Sequence, residues 1–125
     1  MSPAVDVCNQ RCLFCWRYQD HEKRKNVKFD EPERIVQNSI EAQKELVSGF
    51  KGDERCSKEM WKEAREPNQV AISLAGEPTM YPYLGELIKE YEKRGMSTFL
   101  VSNGTQTKTI QNLSTLPTQL YITLA

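Results

Sequence analysis

Apolar residues recur at helical spacing in several stretches of this chain. The pattern predicts helices at residues 30–47, 57–65, 83–94 and, more weakly, 107–113. In the first of these, Asp30 and Glu33 form a capping-box pattern, and Gly49 is the expected stop. Gly95 follows the third in the same way. We therefore expect the two long helices to have well-defined ends.

Short continuous apolar runs separate these helices. They predict strands at residues 4–7, 70–74, 98–101 and 119–124. Such runs are typical of a parallel sheet that is buried on both faces. Strands that alternate with helices imply a parallel sheet with helices on the outside, which places the chain in the α/β class as one domain over residues 1–125.

Three unusual sequences follow the ends of predicted strands. They lie at Cys8–Phe29, Ala75–Pro82 and Ser102–Gln106. In parallel sheets the loops that bear ligands lie beyond the carboxyl ends of the strands. Because all three sequences belong to that one edge of the sheet, we expect a functional site there.

Composition and charge narrow the class of protein. The chain has 125 residues, 38% hydrophobic and 27% charged, which is typical of one modest globular domain. No run approaches the roughly 18 apolar residues of a membrane span, and the start lacks the basic region of a signal peptide, so we expect a cytoplasmic protein with no membrane partner. The 17 basic and 17 acidic side chains argue against a general nucleic-acid binder, although a local basic strip runs from Arg17 to Lys28.

Three of the four cysteines lie within eight residues. Cys8, Cys12 and Cys15 form a C-x3-C-x2-C array that favours a metal or cluster site over disulfides. Three thiolates on such a loop can hold a cubane iron–sulfur cluster and leave one iron for another ligand. A zinc site completed by His21 is the alternative. A four-cysteine electron-transfer cluster is less favoured, because Cys56 lies 41 residues on and no proline follows it.

Further motifs accompany the cysteine array. Phe14 stands directly before the last cysteine, Gly76-Glu77-Pro78 follows one predicted strand, and Ser102-Asn103 follows the next. With these features the sequence resembles the radical S-adenosylmethionine (SAM) superfamily.

That resemblance implies a partial (β/α) barrel, with a [4Fe–4S] cluster held by the three cysteines and SAM chelated to the open iron. Cleavage of SAM would supply a 5′-deoxyadenosyl radical. In the superfamily the Gly-Glu-Pro segment contacts the amino group of SAM and the Ser-Asn segment its ribose. The SAM contacts implied here are therefore Phe14, Gly76, Glu77, Ser102 and Asn103, and no catalytic residue is assigned.

The flanking sequences narrow the resemblance. Cys15-Trp16-Arg17 and residues 71–82, 99–105 and 118–124 are similar to the tRNA 4-demethylwyosine synthase family. This implies a lyase that builds a third ring on N1-methylguanosine of phenylalanine tRNA from pyruvate, with a reductant for the cluster. The implied tRNA contacts are Trp16, Arg17, Lys23, Arg24 and Lys25, although a solvated basic loop explains each charge equally well.

The family also carries a second [4Fe–4S] cluster and a pyruvate-handling lysine upstream of the cysteine loop. This sequence begins seven residues before Cys8, and a full barrel takes about 250 residues. We therefore expect the N-terminal half of a radical SAM core, truncated at both ends and unable to complete the reaction alone. The alternatives are another radical SAM enzyme, such as a peptide-activating one, and a zinc-dependent RNA-binding module.

Overall fold

The structure is a computed structural model that describes residues 1–5, 7–17 and 27–124. Its helices are α1 (Pro32–Leu46), α2 (Lys58–Arg65), α3 (Leu84–Glu92) and α4 (Thr107–Gln111), with short 3-10 helices at Ser48–Gly52 and Pro78–Met80. Its strands are β1 (Gln69–Ile72), β2 (Ser97–Ser102) and β3 (Gln119–Ile122). None of the helices in these ranges is both long enough and apolar enough to cross a membrane.

The three strands form one parallel sheet in the order β1-β2-β3. This confirms the predicted α/β arrangement, with strands close to their expected positions. The predicted strand at 4–7 is wrong, because Pro3–Val5 form a turn in which the Val7 amide donates to the Ala4 carbonyl at 3.1 Å. The chain instead pairs with the edge of β1 earlier, at Met1, whose nitrogen donates to Ala71 O and whose carbonyl accepts from Ser73 N.

The ends of α1 differ from the prediction. The helix begins at Pro32 after Glu31, and no side chain caps it, so the capping box from Asp30 is wrong. Asp30 lies outside the helix, where its carbonyl accepts a hydrogen bond from the Tyr81 hydroxyl at 2.8 Å. At the other end the chain tightens after Leu46 into the 3-10 helix, so Gly49 lies within that turn and does not terminate α1.

Helices α1 and α3 pack on one face of the sheet and form the core. The side chains with essentially no exposure are Val36, Ile72, Leu87, Ile88, Tyr91 and Leu100. The Tyr91 hydroxyl keeps a partner in this core, because it lies 2.8 Å from the Ser39 hydroxyl. Burial raises the pKa of Tyr91 above its ordinary value, so this side chain stays neutral.

The opposite face of the sheet is largely open. Along β2 the buried residues Thr98, Leu100 and Ser102 alternate with half-buried ones, and every residue of β3 is exposed. On the open face Phe99 and Tyr121 meet edge to face at 5.4 Å between ring centroids. The expectation that the sheet is buried on both faces is therefore wrong for this chain.

Helix α2 supports the outer side of α1. It lies where the sequence predicted a short helix, and Ser57 caps it, accepting a hydrogen bond from the Met60 amide. Trp61 turns inward, where its indole nitrogen donates to the Val47 carbonyl at 2.9 Å. Met60 points outward and is 67% exposed. The segment therefore braces α1.

Candidate functional site

A cavity of about 250 Å³ opens at the carboxyl ends of the strands. Its wall comes from the cysteine loop and from the segments that follow β1 and β2. Ten predicted site residues line it: Cys8, Cys12, Phe14, Cys15, Trp16, Arg17, Gly76, Glu77, Ser102 and Asn103. The remaining three, Lys23, Arg24 and Lys25, lie outside the described residues, as does His21. The fold thus brings the cysteine array and the motifs that follow β1 and β2 to one place.

The three cysteines lie along one side of this cavity, and none forms a disulfide. Their loop folds back in a turn in which the Cys15 amide donates to the Cys12 carbonyl at 3.0 Å. In residues 1–5, 7–17 and 27–124, no three Cys, His, Asp or Glu side chains are gathered closely enough for one metal ion.

Glu77 is almost fully buried although it is acidic, with 2% of its surface exposed. Its Oε1 atom accepts hydrogen bonds from the Thr79 amide at 3.1 Å, the Thr79 hydroxyl at 2.6 Å and the Ser102 hydroxyl at 2.7 Å. Its Oε2 atom accepts from the Asn103 amide at 2.9 Å. The carboxylate therefore joins the segment after β1 to the segment after β2.

Gly76 allows the cysteine loop to approach this carboxylate. Its φ is +71°, and a Cβ added there would lie 1.8 Å from the Ala4 carbonyl oxygen. Directly after it, the Glu77 amide donates to the Val7 carbonyl at 2.7 Å. Only glycine combines that backbone angle with so close a contact, which explains the residue at this position.

A second connection lies at the rim of the cavity. Asn9, within the cysteine array, accepts from the Asn103 side-chain amide at 2.9 Å and donates to the Thr105 hydroxyl at 2.7 Å. Thr105 in turn donates to the Asn103 side-chain oxygen through its amide and its hydroxyl. These three side chains fasten the cysteine loop to the end of β2, and Asn9 and Thr105 were not predicted as site residues.

Leu74 is a further residue that the motifs did not indicate. It has a φ of 87°, which is unusual for a branched side chain, and it is 73% exposed on the cavity wall. The Ser2 hydroxyl binds the backbone on both sides of Leu74, since it donates to Ser73 O and accepts from the Ala75 amide at 2.9 Å. These two hydrogen bonds hold the backbone that turns Leu74 towards the cavity.

The tip of the cysteine loop is apolar and exposed. Leu13, Phe14 and Trp16 are each more than 70% exposed, and the guanidinium of Arg17 lies 5.3 Å from the centre of the Trp16 ring. Cys56 is remote from this tip in the fold, at the start of α2, where its thiol lies 3.6 Å from the Ser57 carbonyl. The fourth cysteine therefore belongs to the bracing segment.

Comparison with known proteins identifies the family. The model of the radical SAM superfamily matches residues 3–125. The chain belongs to the radical SAM superfamily. Membership argues against the zinc-dependent RNA-binding module and the ferredoxin-type cluster, and it implies a [4Fe–4S] cluster and SAM as cofactors.

Among curated radical SAM relatives, the chain is 42% identical over 129 residues to the S-adenosyl-L-methionine-dependent tRNA 4-demethylwyosine synthase of Pyrococcus abyssi. It is 45% identical over 130 residues to the enzyme of that name from Methanocaldococcus jannaschii. These alignments take in 99% and 98% of this chain but 38% and 41% of the relatives. The chain thus spans about two fifths of their length.

Solved structures agree with this assignment. A structure of TYW1 with a lysine–pyruvate adduct bound superposes with a TM-score of 0.85 at 46% identity, covering 97% of this chain and 39% of that one. A crystal structure of archaeal TYW1 gives a TM-score of 0.74 at 45% identity, with 86% and 38% covered. The three-stranded sheet and its helices are accordingly part of a radical SAM fold.

Proposed function

We propose that this chain forms part of a tRNA 4-demethylwyosine synthase. The observation that carries the proposal is the cavity, because three cysteines in C-x3-C-x2-C spacing share it with the Gly-Glu-Pro and Ser-Asn segments. The identity of 40–45% to archaeal enzymes of that name supports the choice within the superfamily. The expected cytoplasmic location is part of the same proposal.

In this proposal Cys8, Cys12 and Cys15 hold the [4Fe–4S] cluster by their thiolates. Phe14, Gly76, Ser102 and Asn103 border the space for SAM. When bound and reduced, the cluster supplies the electron that cleaves SAM to methionine and a 5′-deoxyadenosyl radical. Phe14 and Leu74 present apolar surface to the same space.

The substrates follow from the similarity to the archaeal enzymes. We propose N1-methylguanosine in phenylalanine tRNA and pyruvate as substrates, with an electron donor for the cluster. Arg17 and the exposed Trp16 lie at the mouth of the cavity, where a cation can meet a phosphate and an indole can stack on a base. Lys23, Arg24 and Lys25 extend this basic segment in sequence. We propose the second cluster and the pyruvate-binding lysine for the part of the enzyme that these 125 residues do not include.

The test is anaerobic reconstitution with iron and sulfide, followed by reduction and EPR spectroscopy with and without SAM. We expect a [4Fe–4S]⁺ signal that shifts when SAM is added. Cys12→Ser removes a proposed ligand and should abolish this signal. Cys56→Ser alters a thiol of the bracing segment and should retain it, which makes it the matched control.

Two results would contradict the proposal. Stoichiometric zinc uptake without a cluster would refute the cluster site. A cluster that responds to SAM, in an intact protein that cleaves SAM but leaves tRNA unmodified, would instead favour another radical SAM enzyme. Formation of the tricyclic base from tRNA and pyruvate by the intact protein decides between these outcomes.

A further inference from the structure

We propose that the Glu77 carboxylate is a positioning group that holds the two strand-end segments together, and that it does not bind the amino group of SAM. The inference rests on the proposed function in one respect, which is that the cavity accepts SAM. It assigns to Glu77 a different task from the one that the Gly-Glu-Pro resemblance implies. The carboxylate would shape the cavity wall before any ligand arrives.

The first argument is the hydrogen bonding of the carboxylate. A carboxylate oxygen has two lone pairs, and Oε1 already accepts from three donors on Thr79 and Ser102. The Asn103 amide approaches Oε2 at 2.9 Å, and only 2% of the residue is exposed. Oε2 keeps one free lone pair, but an ammonium group has almost no open surface of Glu77 through which to reach it.

The second argument concerns charge. In the part of the chain that the structure describes, no Lys, Arg or His forms an ion pair with Glu77. A buried carboxylate without a cation depends on hydrogen bonds for its stabilisation, and bonds to a charged acceptor are about twice as strong as neutral ones. The four donors are therefore held firmly, and they belong to the segments after both β1 and β2.

The third argument is connectivity. Ser102, which donates to Glu77, also accepts from the Gly104 amide at 3.1 Å and so shapes the turn after β2. Asn103, whose amide is bound to Glu77, reaches the cysteine loop through Asn9. Movement of the carboxylate would therefore displace the turn after β2 and its attachment to the cysteine loop together.

The decisive test is amide hydrogen exchange of the intact protein without SAM. Glu77→Gln replaces an acceptor by an NH₂ group, so donors on Thr79, Ser102 or Asn103 lose their partner. We expect the Asn103 amide and its neighbours to exchange about tenfold faster, as loss of a charged buried acceptor implies. Unchanged exchange in this segment would overturn the proposal, because a direct ligand of SAM has no effect when SAM is absent.

Thr79 provides matched variants should Glu77→Gln fail to fold. This residue is 4% exposed and is not part of the cavity wall. Thr79→Val removes the hydroxyl donor to Glu77 at nearly constant volume, and we expect exchange at residues 102–105 to rise about threefold to tenfold. Thr79→Ser keeps the hydroxyl and should restore the original rate. Equal rates in the two variants would contradict the positioning role.

Ligand binding gives an independent readout. 5′-Methylthioadenosine shares the adenosine and sulfur of SAM but lacks the α-amino and α-carboxylate groups of its methionine part. A positioning role predicts that Glu77→Gln weakens binding of both molecules by similar factors, whereas a ligand role predicts that only SAM is weakened. If the unaltered protein with its cluster binds neither molecule, the proposed function fails, and the exchange experiment still decides the role of Glu77.

Discussion

The core beneath the sheet and the rim of the cavity are built in opposite ways. In the core Leu87, Ile88 and Tyr91 have no exposed surface, and apolar packing holds them. At the rim apolar side chains such as Leu74 are exposed, while the carboxylate of Glu77 is buried. Apolar packing therefore supplies the stability of this fold. Hydrogen bonds and the close approach of Gly76 to the Ala4 carbonyl determine the shape of the site.

The largest expected effect is in the core. Leu87→Ala removes a fully buried side chain of α3, and we expect the free energy of unfolding to fall by about 2–5 kcal/mol. Thermal or urea unfolding of the intact protein measures this. Leu116→Ala is the control, since that side chain is 69% exposed and its loss should change stability by less than about 0.5 kcal/mol. Similar losses in both variants would contradict the division between core and surface.

The next largest effect on stability is expected where Gly76 contacts the N-terminal segment at Ala4. Gly76→Ala introduces a Cβ against the Ala4 carbonyl at a φ of +71°. We expect a loss of at least about 1–2 kcal/mol from the backbone angle alone, together with poor retention of the cluster.

Gly49→Ala is the matched control for this change. Nothing lies within 4 Å of a Cβ at Gly49, and its φ is not in the left-handed region. We expect it to be neutral or to stabilise the protein by up to about 1 kcal/mol. Full cluster content in Gly76→Ala, measured by iron and sulfide analysis, would show that the close contact is dispensable.

The smallest effect on stability is expected at the rim itself. Asn9→Ala removes exposed side-chain hydrogen bonds to Asn103 and Thr105, and it should lower the free energy of unfolding by about 0.5–1 kcal/mol. Loss of the cluster to an iron chelator should be up to about fivefold faster, because the cysteine loop is then less firmly held. Gln37→Ala, which removes an exposed bond to Glu41 on α1, should leave that rate unchanged.

Most of the fold was predictable from local patterns. The helix α3 and all three strands lie where apolar spacing placed them, because each contributes an apolar row or run. The short helix α4 lies within the weaker prediction at 107–113. The errors concern tertiary contacts. Asp30 does not cap α1, since the helix begins at Pro32 directly after Glu31, and the Asp30 carbonyl accepts from Tyr81, 51 residues away. Likewise, a strand sequence does not reveal whether both faces of its sheet are covered.

The site was predictable as far as its motifs extend. The Gly-Glu-Pro segment and Ser102-Asn103 follow the neighbouring strands β1 and β2, so topology predicts that these two motifs meet. The cysteine array joins them although no strand precedes it in the structure. Thr79, Asn9 and Ser2 were missed because ordinary polar residues carry no signal of their partners. The position of Asn9 inside the cysteine array was the one hint available. No feature of the sequence indicated the left-handed φ of Leu74, since leucine seldom adopts that backbone conformation.

The attachment of Met1 and Ser2 to the end of β1 also bears on the order of folding. These residues contact partners 70 or more positions away. The contacts between successive strands and helices join residues that are much closer in sequence. Closing a long loop costs more chain entropy, and distant contacts tend to form later. We expect the sheet and its helices to form first and the cysteine loop to dock last, so the thiols remain accessible to iron and sulfide until the final step of folding.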